Sequence, residues 1–122
     1  FDTFLVTDHE SQTATTTAVL QRNGAAFASG DLDAILKNYA EDAVVIRPGA
    51  TYRGHDELRE MFRRILNTMS TFKPNHSTTT VSGKLGLLTW LALSNDGQIA
   101  QGIDSFVVEN DRIVAQSYVG AL

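Results

Sequence analysis

The apolar period of this chain changes once, after Met69, and that change limits the folds open to it. Upstream, apolar residues recur every three or four positions, as on one face of a helix. Downstream they alternate, as on one face of a strand. A first helix is expected from about Thr15 to Ser29, with Thr16, Leu20, Asn23, Gly24 and Phe27 on its inner stripe. Gly30 suits its C-terminus, and Asp31 suits the N-cap of a second helix carrying Leu32, Ile35, Leu36 and Tyr39 on one face. Ala43–Arg47 reads as a short strand stopped by Pro48-Gly49. A third helix follows Gly54, with Asp56 and Glu57 in its first turn and an apolar stripe of Leu58, Met61, Phe62, Ile65 and Met69.

The second half reads as four strands. They span 72–82, 85–94, 98–109 and 112–120, separated by Gly83, by Asn95-Asp96-Gly97 and by Asn110-Asp111, all strong turn formers. Helices first and long antiparallel strands afterwards give an α+β fold with three helices packed on one face of a curved sheet. Residues 1–14, apolar at Phe4-Leu5-Val6 and then polar, read as an N-terminal arm, and 15–122 as one domain. The chain opens on Phe1 rather than Met, as a processed or trimmed chain does.

Composition narrows the function classes. The 122 residues are 43 % hydrophobic and 20 % charged, a globular balance. A net charge of −4 argues against a nucleic-acid surface, and Arg59, Arg63 and Arg64 read as a solvated helix face in which Glu60 pairs with Arg64. No apolar run approaches the roughly 20 residues that span a bilayer, so no membrane partner and a cytoplasmic location are expected. Cysteine is absent, which removes disulfides, thiolate nucleophiles and cysteine zinc sites. His9, His55 and His76 have no metal-ligand spacing, and neither a phosphate-binding glycine loop nor a serine nucleophile elbow occurs. Neither a metal nor an organic cofactor is expected.

Three stretches carry a resemblance. Ala26–Ile35 continuing through Tyr39–Val45, Tyr52–Leu58 before the third helix, and Gly102–Val108 with Arg112–Gln116 are similar to the nuclear transport factor 2-like superfamily, in its SnoaL-like and ketosteroid isomerase-like branch. The resemblance covers roughly residues 15–122 and implies a cone: helices wrapped by a mostly antiparallel sheet around a pocket. It does not imply one activity, because isomerases, dehydratases, cyclases, epoxide hydrolases and binding modules share the fold.

Ketosteroid isomerase chemistry needs a carboxylate base, a tyrosine and an aspartic acid. In this sequence the resemblance puts Arg47 at the base position and Asn23 at the tyrosine position, and neither can do that proton chemistry. The third position matches, as Asp104, the candidate catalytic residue. Asn23 and Arg47 are candidates for orienting a ligand, with Phe27, Tyr39, Trp90, Gln116 and Tyr118 as pocket walls. Strand alternation sets Gly102, Asp104 and Phe106 on one face, where Asp104 and Arg47 can converge as a ligand clamp or as a structural ion pair. Two functions follow as expectations. One is a homodimer, joined through the sheet, that binds a small apolar or amphipathic molecule and works by lyase, isomerase or cyclase-type acid/base chemistry. The other is a non-catalytic association domain that uses the outer sheet face.

Overall fold

The computed structural model describes residues 7–121. Its elements run α1 (Asp8–Ser29), α2 (Leu32–Leu36), β1 (Tyr39–Arg47), β2 (Ala50–Arg53), α3 (Gly54–Thr68), β3 (Phe72–Ser82), β4 (Leu85–Ser94), β5 (Ile99–Glu109) and β6 (Arg112–Ala121). This is the α+β order expected, with one unforeseen short strand, β2, after Pro48-Gly49 and corrections at three further places.

The first helix starts earlier than its apolar stripe suggested. Thr7 caps it: its hydroxyl accepts from the Glu10 backbone N–H while the Glu10 carboxylate accepts from the Thr7 backbone N–H. That reciprocal box satisfies two donors that an open helix end leaves free. Residues 8–14, assigned to an arm, are therefore the first turns of α1, and Phe4-Leu5-Val6 lies outside the described residues. The buried face is also rotated. Thr16, Val19, Asn23 and Ala26 are buried, Leu20 and Phe27 are half-buried, and Gly24 is exposed.

The second correction concerns Tyr39. Helix α2 stops at Leu36, and Tyr39 opens β1. Asp31 caps α2 by accepting from the backbone N–H groups of Asp33 and Ala34. The Ile113 backbone N–H reaches back to the Asn38 carbonyl, which draws the chain at this point into the sheet. A tyrosine suits a helical stripe or a strand equally well, and here the pairing of Tyr39 with Ile113 of β6 decides. The third correction is among the surface charges: Glu60 pairs with Arg63, Arg59 pairs with Asp33, and Arg64 lies over the Tyr52 ring.

All six strands form one sheet in the order β2-β1-β6-β5-β4-β3. Only β1 and β6 run parallel; every other neighbouring pair is antiparallel. The helices cover one face. Val19 of α1, Ile35 of α2, and Leu58, Met61 and Phe62 of α3 pack with Phe106, Val108 and Ile113 of the sheet. Each such side chain, fully buried, contributes about 1.5–3 kcal/mol.

Helical cover is unequal along that inner face. On β5, Val108 and Phe106 are buried, Asp104 and Gly102 half-buried. On β6 the series runs from buried Ile113 and Gln116 to half-buried Tyr118 and exposed Gly120. The inner face is thus filled at one end and half-covered around Gly102, Asp104 and Tyr118; past Trp90 it is buried again at Ala92 and Ala100.

Candidate functional site

Asp104 stands where the filled core gives way to this half-covered stretch, the open end of the core. Three neighbouring strands bring its partners to it. Trp90 pairs with Gly102 across β4 and β5, which sets its side chain on the same face as Asp104, two residues along. Gly102 pairs in turn with Gly120 on β6. The indole lies over both glycines: a Cβ added at Gly102 would fall 2.5 Å from the Trp90 ring, and one at Gly120 would fall 3.5 Å from it. At Gly102 only the missing side chain lets the ring lie there, whereas the distance at Gly120 is an ordinary contact. Trp90 Nε1 then donates to Asp104 Oδ1 at 2.9 Å.

The other carboxylate oxygen, Oδ2, accepts from Gln116 Nε2 at 2.8 Å. Behind Gln116 the contacts continue inward. The Tyr39 hydroxyl donates in a short hydrogen bond to Gln116 Oε1. Asn23 Nδ2 donates to the Tyr39 hydroxyl at 3.4 Å, and Asn38 Nδ2 donates to Asn23 Oδ1 at 3.2 Å. At the surface, Arg22 Nε donates to Asn38 Oδ1 at 2.8 Å. Asn23, Asn38, Tyr39 and Gln116 are 4, 2, 2 and 7 % exposed. Burying three amides and a phenol is costly unless each is bonded. Among the described residues no buried side-chain polar atom lacks a partner.

Burial dominates the electrostatics. It raises the Asp104 carboxyl above the ordinary carboxylate value, while the bonds from Trp90 and Gln116 pull it down. Burial raises the Tyr39 phenol well above the ordinary range, opposed by the Asn23 bond. It also raises Tyr118, against the nearby Arg47 guanidinium.

The expected approach of Arg47 to Asp104 does not form. Arg47 is exposed at the end of β1, and its guanidinium lies over the Tyr118 ring, 5.7 Å from the centroid. Tyr118 is paired with Asp104 on β5, so it stands between the two charges. Asp104 already has both oxygens occupied by neutral donors, which is why no ion pair is needed to hold it. Phe27 packs edge-on against Phe62, which also touches Tyr39. The sequence candidates thus fall into two groups. Trp90, Asp104 and Tyr118 meet at the open end; Asn23, Tyr39 and Gln116 lie behind them in the network. Arg22 and Asn38 were not foreseen. Nothing in their spacing marks them, since they join only when α1 packs beside the α2–β1 connection. Two open surface grooves lie elsewhere, one of about 490 Å³ beside Arg22, Asn38 and Asp111, the other of about 410 Å³ beside His55 and Glu57. Asp104 lines neither.

Residues 20–116 match the SnoaL-like domain family. Comparison with curated proteins gave no match. Among solved structures, a nuclear transport factor 2-like protein of unknown function from Mesorhizobium loti superposes with a TM-score of 0.77 at 21 % identity, covering 91 % of this chain and 94 % of that one. A proposed polyketide cyclase from Xanthomonas campestris pv. campestris gives 0.74 at 19 % identity, covering 88 % and 90 %. A proposed isomerase of the SnoaL-like family from Agrobacterium tumefaciens gives 0.69 at 17 % identity, covering 89 % and 99 %. At such identities the likeness shows the fold alone. Its fold is that of the nuclear transport factor 2-like proteins, and with the family match spanning most of its length this chain belongs to the SnoaL-like domain family.

Proposed function

We propose that this protein binds a small apolar or amphipathic molecule at the open end of its cone and moves a proton on it with Asp104. The observation that carries the reading is a carboxyl group raised by burial, facing half-covered aromatic surface, with both oxygens held by fixed donors. Such a group is poised as an acid or base and has aromatic walls, Trp90 and Tyr118, for a flat ligand to lie against. Arg47 over Tyr118 adds a cation at the rim that suits a polar or anionic substituent on the ligand. The reaction class that fits is proton transfer beside a carbonyl, as an isomerase or cyclase requires. The isomerase and cyclase descriptions of the fold neighbours agree with it.

The test uses 1-tetralone, a bicyclic ketone. Binding is followed by emission from Trp90, the only tryptophan in the chain, and deuterium uptake beside the carbonyl by NMR. The reading expects saturable quenching and exchange that Asp104→Ala abolishes. If 1-tetralone neither quenches nor exchanges faster than in buffer, and a wider panel of bicyclic ketones behaves the same way, the reading fails.

The outer face of the sheet favours a homodimer. Ile46, Leu85, Leu87, Leu93, Ile99, Ile103 and Val119 are exposed on it. Between them stand uncharged residues, Thr89, Gln101, Ser105 and Ser117, and β4, β5 and β6 place no charge on this face between Leu85 and Val119. Charges on this face stand on the edge strands, Lys73 opposite Leu93 and Arg53 opposite Val44, and an uncharged central patch suits its own copy, packed about a twofold axis. The same face supports the second reading, an association domain without catalysis. That reading expects a heterologous protein to displace the second copy.

A further inference from the structure

The bonds between Arg22 and Asp104 all point the same way. A guanidinium can only donate, so Asn38 must present Oδ1 to Arg22. Its Nδ2 then faces Asn23 Oδ1 and, independently, the Ala34 carbonyl at 3.3 Å. Asn23 in turn must donate to the Tyr39 oxygen, Tyr39 to Gln116 Oε1, and Gln116 to Asp104 Oδ2. The far end is closed by another group that can only donate, the Trp90 indole. Every dipole in the chain has its positive end toward Asp104. Run the other way, the chain would let a protonated Asp104 donate to Gln116. That reversal is blocked at Asn38, where it would set donor against donor at Arg22 and acceptor against acceptor at Ala34.

We propose that Arg22 is a remote positioning residue which, together with the Ala34 carbonyl, latches this chain in one sense and so keeps Asp104 an acceptor on both oxygens, leaving any proton it takes up to point into the open end. Its functional meaning rests on the reading of Asp104 as the proton-transfer group, but its physical content does not. Aligned bonds polarise one another, so the effect of the surface cation reaches further than its own contact. Arg22 is exposed and reachable by solvent, with Asp111 beside it: Arg22 Nη2 lies 3.3 Å from the Asp111 carbonyl and 3.8 Å from its carboxylate. The ionisable groups facing Asp104 are Tyr39 from β1 and Tyr118 from β6, with Arg47 and Arg64 beyond Tyr118; β4 offers only Trp90.

The experiment needs no ligand. The protonation midpoint of Asp104 is read from its side-chain ¹³C shift and, in parallel, from the pH dependence of Trp90 emission. Arg22→Ala is expected to move the midpoint upward, since reversal, which stabilises the protonated acid, then meets one mismatch, at Ala34, where it met two. Tyr39→Phe, which cuts the chain in the middle, moves it the same way, and Arg22→Lys restores most of the native value. Arg112→Ala is the control. Its guanidinium lies in the same groove and contacts Asp111, but it makes no bond to the chain. An unchanged midpoint in Arg22→Ala overturns the proposal, as does an equal shift in Arg112→Ala, which would mark a bulk charge effect. A failure of 1-tetralone exchange with these midpoint shifts intact overturns only the proton-transfer reading.

Discussion

Trp90 and Asp104 lie diagonally across the β4–β5 pair, and the indole N–H donates to the carboxylate at 2.9 Å. This bond depends on a bare glycine, because the ring reaches Asp104 only by lying over Gly102, where any Cβ would collide with it. Packing, hydrogen bonding and the protonation of Asp104 are therefore coupled at one point of the sheet.

Trp90→Phe keeps the aromatic plane and removes the donor. We expect a loss of about 2 kcal/mol at neutral pH, typical for a bond to a charged group, read by urea unfolding. The Asp104 midpoint should rise, because one of the two bonds that pull it down is gone.

Gly102→Ala places a methyl 2.5 Å from Trp90 Cζ2 and 2.8 Å from Nε1. The indole must lift off the sheet and lose Asp104. A cost of about 1–3 kcal/mol is expected, as for other overpacked sites, with a shift in tryptophan emission. Wild-type stability together with wild-type emission would show that the ring does not need the glycine.

Asp104→Asn is not a mild change here. Arg22 and Trp90 close the two ends of the chain and can only donate, so only a side chain that accepts twice fits between them. An amide forces one donor against another, and we expect about 1–3 kcal/mol of destabilisation. The penalty should also depend on pH. The folded carboxyl is raised above its unfolded value near 3.8, so the native state holds more protons in the window above that value. Wild-type stability therefore falls relative to the variant as pH rises through that window. Unfolding of both proteins at pH 3 and pH 7 checks the sign.

On the outer face, Ile103→Lys sets a charge in the middle of the uncharged patch. Sedimentation should show a monomer with unchanged circular dichroism, against a dimer for the wild type. A monomeric wild type would remove the homodimer proposal.

Thr7→Ala removes the capping hydroxyl of α1 and should cost about 1 kcal/mol. Loss of helix signal confined to residues 8–14 in amide exchange would locate the effect.

The sequence by itself determined the layers. Its change of period after Met69, the caps at Gly30 and Asp31 and the turns at Gly83, Gly97 and Asn110-Asp111 place α2, α3 and the β3–β6 strands within a few residues, because these signals are local and act through the nearest turn of backbone. Alternation alone also put Asp104 on one face with Gly102 and Phe106. Signals weaker than the apolar stripe were missed: the Thr7–Glu10 box is polar and lies ahead of it, so α1 looked shorter than it is. What only the tertiary structure decided was partnership. Tyr39 fits a helix stripe and a strand equally, and pairing with β6 chose the strand. Arg47 and Asp104 carry opposite charges on the two strands that flank β6, yet Tyr118 of β6 separates them and neutral donors fill the carboxylate. The Arg22–Asn38–Asn23 contacts join α1 to the α2–β1 connection across 15 or 16 residues of sequence, at no periodic spacing. Hydrogen bonds of that kind exist only after packing has excluded water from the amides, so no local pattern announces them.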